Sequence, residues 1–236
     1  KTMNKSRIWG LALAMALFSA GAFAARPIVA GGNGFTLFLN GSGAVSAVGM
    51  NDVGQLGRGT VSTSPAYEVT VEAIGSLTDV VLVAGGDAHA IALKRDGTVY
   101  AWGRNATGQL GLGAADTTDR HQPTKVAFFD GLAAGNEVIA VAAGSDFSVA
   151  VTRGGDVYTW GVNTSGQLGN GDNAQQNLPV LATTLVAQVS AGSAHVVALK
   201  FDGSVVAWGK GTDGQLGDVA NSNRNVPVAV SGLASI

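Results

Sequence analysis

Four copies of one spaced pattern constrain this chain more than any other feature. Gly32, Gly86, Gly144 and Gly192 each stand 22 residues ahead of the opening glycine of a Gly-Gln-Leu-Gly tetrad. The tetrads begin at Gly54, Gly108, Gly166 and Gly214, with Gln55, Gln109, Gln167 and Gln215 as their second residues. Between the landmarks lie a turn glycine (Gly43, Gly97, Gly155, Gly203) and, two residues on, a valine (Val45, Val99, Val157, Val205). Trp102-Gly103, Trp160-Gly161 and Trp208-Gly209 follow, with Val48-Gly49 at that place in the first copy. The copies begin 54, 58 and 48 residues apart, so all the variation in length falls outside the 22-residue stretch. A period of this size marks a solenoid, propeller or array.

One copy reads as four short strands. In the second, Val80 to Ala84 is a continuous apolar run, as expected for a strand buried on both faces. His89 to Leu93 reads as a half-buried strand, and Asp96-Gly97 is a hairpin signal. Thr98 to Trp102 returns with β-branched and aromatic residues. A variable loop follows each tetrad (58–64, 112–122, 170–178, 218–226) and is closed by Pro65, Pro123, Pro179 or Pro227. A short last strand such as Thr124-Lys125-Val126 then fits the outer edge, where proline is tolerated. Four strands per copy make one blade of a β-propeller, so the fold class is all-β. A blade cannot cover its own faces, so stacking supplies the stability, and the recurrent tryptophans are read as packing between blades. The repeats run over about 28–80, 81–138, 139–186 and 187–236 within one domain, 25–236.

Residues 1–24 have a different character. Lys5 and Arg7 precede an apolar run over 8–18, and Ala22-Phe23-Ala24 is a small-x-small cleavage site. This is the layout of a signal peptide, with export to the periplasm, cell surface or medium expected after cleavage near Ala24. The run is too short for a stable membrane span. Cleavage removes Lys1, Lys5 and Arg7 and leaves eleven basic and sixteen acidic residues, so nucleic acid is not an expected partner. The chain has no cysteine, which excludes thiol catalysis and thiolate metal sites.

The unit Ala-Gly-x-x-His-x-x-Ala-Leu-x-x-Asp-Gly-x-Val-x-x-Trp-Gly-x-Asn-x-x-Gly-Gln-Leu-Gly resembles the repeat of the regulator of chromosome condensation (RCC1) family. It is closest in the second copy, Ala84 to Gly111, and nearly as close in the fourth. The resemblance implies a propeller, typically of seven blades, used as a platform for contact with a protein or cell-surface partner. Copy one departs from it at Phe35 and Val48, copy three at Phe147 and Gly154, copy four at Gly211. Ser231-Gly232-Leu233-Ala234 matches Asp130-Gly131-Leu132-Ala133, the lead-in to copy three. The expectation is therefore a part of a longer propeller. The rival is a chain that closes with four blades or pairs with a second copy. An open end would favour self-association.

Several chemical patterns fall short. His89 and His195 share a slot that Phe35 and Phe147 fill elsewhere, so packing is the expected role. The sequence Gly209-Lys210-Gly211-Thr212-Asp213-Gly214 spells a dinucleotide motif but leads into the tetrad rather than a helix. Gly31-Gly32-Asn33-Gly34 has Thr36 where a calcium-binding nonapeptide needs an aspartate. Asn105-Ala106-Thr107 and Asn163-Thr164-Ser165 are glycosylation sequons inside the repeat's own turn, which favours an asparagine bonded to backbone. No metal or other cofactor is expected, and Asp96 and Asp202 belong to hairpin turns. An enzyme acting on glycans with carboxylates in the central channel, and one module of a larger surface protein, are the alternatives. For partner contact, the longest loop supplies Asp116, Asp119, Arg120 and His121, with Arg104 beside it.

Overall fold

The computed structural model describes residues 25–233. Sixteen strands form four antiparallel four-stranded sheets, each built from strands consecutive in the chain. The first blade holds β1 (Ile28–Gly31), β2 (Phe35–Leu39), β3 (Val45–Met50) and β4 (Tyr67–Ala73). The second holds β5 (Val80–Gly85), β6 (His89–Lys94), β7 (Val99–Gly103) and β8 (Arg120–Lys125). The third holds β9 (Val138–Ala143), β10 (Phe147–Thr152), β11 (Val157–Gly161) and β12 (Gln176–Thr183). The fourth holds β13 (Val186–Ala191), β14 (His195–Lys200), β15 (Val205–Gly209) and β16 (Arg224–Ala229). A 3-10 turn, Ala127–Gly131, interrupts the link between the second and third blades. The blades stack through their first strands, β1 on β5, β5 on β9 and β9 on β13, around a common axis. The result is a partial propeller.

Burial corrects the expected strand characters. β5 is only half-buried, whereas β6 is buried from His89 to Leu93. The first strand of each blade borders the axial opening, while the second lies between neighbouring sheets, so it is the second that is covered on both sides. The outer strands of the second, third and fourth blades also begin earlier than expected. β8 starts at Arg120, so Arg120, His121 and Gln122 are strand residues rather than loop. Pro123, Pro179 and Pro227 lie inside β8, β12 and β16, where the register against the third strand shifts. At such a bulge on an outermost strand a missing N–H breaks no regular ladder bond.

Each seam between blades is an apolar layer. Leu37, Leu39, Val45 and Ala47 of the first blade pack with Ala90, Ala92 and Trp102 of the second. The other face of the second blade carries Ile91, Leu93, Val99 and Ala101 against Ala150 and Trp160. Phe147, Val149, Val151 and Val157 then meet Val196, Ala198 and Trp208. Trp102, Trp160 and Trp208 are fully buried. Each ring removes roughly 150–250 Å² from water, an upper bound of about 4–6 kcal/mol in transfer free energy before ordering costs. Residues 1–24, expected from the sequence to be a signal peptide, lie outside the described residues. Among the described residues no helix is long and apolar enough to cross a membrane.

Candidate interaction rim

The antiparallel order sorts the connections onto two rims. Turns after the first strand and loops after the third share one rim; hairpins after the second strand and links between blades share the other. The hairpin rim is uniform in its backbone, because the N–H of Gly43, Gly97, Gly155 and Gly203 each donates to the carbonyl three residues earlier at 2.9–3.1 Å; Asp96 and Asp202 also accept the N–H two residues on at 2.9 Å. Hydrogen bonds from the Ser204 hydroxyl and N–H hold the Asp202 carboxyl below the usual carboxylate range. Both repeat aspartates thus serve turns, away from the axis.

On the loop rim the tetrads and tryptophans form a receptor-and-plug device. Trp102 donates its Nε1–H to the Gln55 carbonyl of the preceding blade at 2.9 Å, and Trp208 donates to that of Gln167 at 3.0 Å. The closing glycine leaves room for the ring: a Cβ on Gly57, Gly111 or Gly169 would stand 2.6–2.9 Å from the Nε1 of Trp102, Trp160 or Trp208. The middle seam is wired differently. Ser148, at the place of Ala90 and Val196, donates its hydroxyl to the Gln109 carbonyl at 2.8 Å. Trp160 Nε1 is left buried without a partner. The Ser148 hydroxyl also meets His89 Nε2 at 3.0 Å. Because that hydroxyl donates to Gln109, it accepts from His89, which fixes Nε2 as the protonated ring nitrogen. Burial pushes the His89 pKa down to about 4, with the Ser145 carbonyl pulling the other way. His195, in the same slot of the fourth blade, is only half-buried, and burial lowers its pKa too. The ring of the slot residue packs on the glycine three before it, as Phe35 does on Gly32 and Phe147 on Gly144.

Nearer the axis, a cavity of about 350 Å³ is lined by Asn33, Asp87, Ser145, Ser193 and their flanking glycines. Backbone bonds step from blade to blade around it. Asn33 N–H donates to the Asp87 carbonyl (3.2 Å), Asp87 to Ser145 (2.8 Å) and Ser145 to Ser193 (3.0 Å). Asp146 is half-buried beside this ring. Burial raises its carboxyl pKa, Arg104 acts against that and Asp87 adds to it. Gln109 Nε2 donates to its Oδ1 at 3.0 Å.

The residues expected to meet a partner fall into two groups. Asp119 accepts the Asn105 N–H at 2.7 Å, and Asp116 both caps Thr118 N–H at 2.9 Å and pairs with Arg120. These three hold their own loop in shape. His121 sits in β8 with its imidazole against Gly54, and its carbonyl accepts the Gly59 N–H at 2.7 Å. Asn177 and Asn225 occupy the same place against Gly108 and Gly166, so His121 stands at a seam position. Arg104 is exposed and acts electrostatically on Asp146. Asn105 and Asn163 are buried, each with its Oδ1 on the Leu110 or Leu168 N–H at 3.0 Å and its Nδ2 on loop carbonyls. Their amides are spent on the turn and closed to glycosylation. No group of three or more His, Cys, Asp or Glu able to hold a metal occurs among the described residues. Sequence reasoning missed the seam chemistry, because its acceptors are backbone carbonyls. The one side-chain signal was the serine at 148.

A family model described as RCC1-like domain matches residues 15–236. The chain belongs to the RCC1-like domain family. Among solved structures it is similar to Prp20p of Saccharomyces cerevisiae, with TM-score 0.76 and 26% identity over 88% of this chain and 51% of that one. Human WBSCR16 gives TM-score 0.74 and 31% identity over 89% and 54%. Among curated proteins it is 38% identical to the ultraviolet-B receptor UVR8 of Arabidopsis thaliana over 58% of this chain and 29% of that protein. It is 37% identical to the human E3 ubiquitin-protein ligase HERC2 over 49% and 2%. The chain thus spans about half of the solved chains and less than a third of these curated relatives. In this RCC1-like chain the tetrad and the Trp-Gly pair are the two halves of one seam.

Proposed function

We propose that this RCC1-like propeller is an exported, non-catalytic interaction module that holds a protein or cell-surface partner on its loop rim. The observation that carries the proposal is the contrast between the rims: short uniform hairpins on one, loops of unlike sequence on the other. Loops 104–119, 162–175 and 210–223 follow strands rigidly placed by the seams, so side chains distant in sequence share one surface. The loops' own polar groups are largely satisfied internally, which presents a surface ordered before binding. Prp20p, to which the chain is similar, binds Gsp1p and histones. That supports a protein-binding role here without supplying the partner. Export rests on the basic start, apolar run and Ala22-Phe23-Ala24 of the first 24 residues.

The test places photo-crosslinking residues at Arg104 and Thr117 on the loop rim and at Arg95 and Asp202 on the hairpin rim of the protein expressed in its own cells. Adducts from the first pair alone are expected. Adducts from the hairpin rim alone, or none from either, would contradict the proposal. N-terminal sequencing of the mature protein should begin at Ala25, and a retained leader would remove export.

A further inference from the structure

The outermost strand of the first blade lacks a guard that the other three carry. Glu68, Arg120, Gln176 and Arg224 stand at one place in β4, β8, β12 and β16, each opposite the glycine at Gly49, Gly103, Gly161 or Gly209. Three residues on lie Pro123, Pro179 and Pro227, and in β4 Val71. The place matters because of the way it faces. Asn51 donates its N–H to the Ala66 carbonyl and Ile74 donates to the Val45 carbonyl, both at 2.8 Å, so the even-numbered residues of β4 turn their main chain toward β3. Alternate residues of an antiparallel strand bond to opposite sides, so Tyr67, Val69, Val71 and Ala73 turn theirs outward, away from the axis. A proline at this place removes the outward N–H and blocks a further strand, and Val71 keeps it. This edge points along the radius and not across a seam, so it is open whatever blades stand beside it.

We propose that β4 pairs antiparallel with β4 of a second copy of the chain, about a two-fold axis through Val69. The run Tyr67-Glu68-Val69-Thr70-Val71 alternates apolar and polar residues identically in both directions, so it complements itself. In this register Val69 stands opposite its own counterpart and exchanges both main-chain bonds with it. Tyr67 faces Val71 twice, an aromatic against a β-branched side chain, and Glu68 faces the Thr70 hydroxyl twice. Moving the axis to Thr70 would set Glu68 against Glu72 twice, and like charges directly opposite repel. Tyr67, Val69 and Val71 are exposed at 52%, 82% and 54%. β4 holds no basic residue, whereas β8 carries Arg120 and Lys125 and β16 carries Arg224. Arg58 holds the strand in shape, with its guanidinium on the Thr70 carbonyl at 3.1 Å and against Glu72 at 3.5 Å. The contact is isologous and closes as a pair. It uses the circumference and leaves the loop rim free for another partner.

Sedimentation of the purified chain should show a reversible dimer that Val71→Pro weakens at least tenfold. Proline is what the other three blades carry at this place, so the blade is expected to keep its fold, with thermal unfolding as the check. Val69→Lys, at a side chain already in solvent, should weaken the dimer as much and does not depend on the proline variant folding. The register is read separately. The chain has no cysteine, so Val69→Cys and Thr70→Cys each introduce a lone thiol. A short thiol crosslinker should join Val69→Cys copies at least tenfold faster than Thr70→Cys copies, because only position 69 faces its own counterpart. A chain that stays monomeric at millimolar concentration overturns the proposal. So does a dimer that Val69→Lys leaves unchanged, or joining through Thr70→Cys that is equal or faster. Protection of the β4 amides from hydrogen exchange that requires a different protein overturns the second copy as occupant.

Discussion

Trp102 donates its indole N–H to the Gln55 carbonyl across the first seam, while Trp160, in the same place one blade on, donates to nothing. The difference traces to Ser148, whose hydroxyl occupies the Gln109 carbonyl and turns to His89 on its other side. Two of the three seams are thus closed by an indole and one by a hydroxyl–imidazole pair.

The middle seam should be acid-sensitive. His89 is held neutral, with its pKa near 4 instead of 6.5. As pH falls below 6.5 the unfolded chain binds a proton that the folded chain refuses, so stability is lost between pH 6.5 and 4 and the loss levels off below. The full window is worth about 3 kcal/mol. His89→Phe, which places in this slot the residue found at 35 and 147, should lose less over that window. Urea unfolding of both proteins from pH 7.5 to 4 checks it. Parallel pH dependences would exclude His89 as the titrating group.

Ser148→Ala frees the Gln109 carbonyl for Trp160 and strands the His89 N–H. A net cost of about 1–2 kcal/mol is expected, since a buried donor left alone costs about 1–3. Combined with His89→Phe the costs should fall short of additive by at least 0.5 kcal/mol, the signature of groups sharing one network. Additive losses from a double-mutant cycle would mean the two side chains act separately.

The glycine that closes each tetrad has two reasons to be glycine, and substitution separates them. Gly111 and Gly217 both have positive φ, 73° and 62°, so alanine at either meets backbone strain of about 1–2 kcal/mol. At Gly111 the new methyl would also meet a buried indole, 2.7 Å from Trp160 Nε1, whereas at Gly217 it would meet only the end of the Val230 side chain, 2.9 Å from its Cγ1. Gly111→Ala should therefore cost at least 1 kcal/mol more than Gly217→Ala in thermal unfolding. Equal costs would leave backbone conformation as the whole explanation.

Much of this was legible in the amino-acid order, for physical reasons that differ by element. Asp96-Gly97 announces its hairpin because the carboxylate accepts the Thr98 N–H and glycine takes the left-handed turn. Trp102 and Trp208 were readable as inter-blade packing, since a large apolar ring recurring at fixed spacing must be covered by something outside its own sheet. Strand characters were harder. Val80 to Ala84 looks doubly buried by composition, yet an axial strand is covered only where a neighbouring blade reaches it. Arg120 and His121 read as loop because an outermost strand that bonds on one side can carry polar residues. The seam chemistry was hidden for another reason: carbonyl acceptors such as those of Gln55 and Gln109 belong to the backbone and leave no trace in side-chain type.

The stacking of blades through indole and tetrad is tested most directly by equilibrium unfolding of Trp102→Phe and Trp160→Phe side by side. Both changes trim one ring and remove one N–H, but only at Trp102 does that N–H satisfy a buried carbonyl. Trp102→Phe should lose about 1–2 kcal/mol more than Trp160→Phe. Equal losses, or the greater loss at Trp160, would contradict the seam as described.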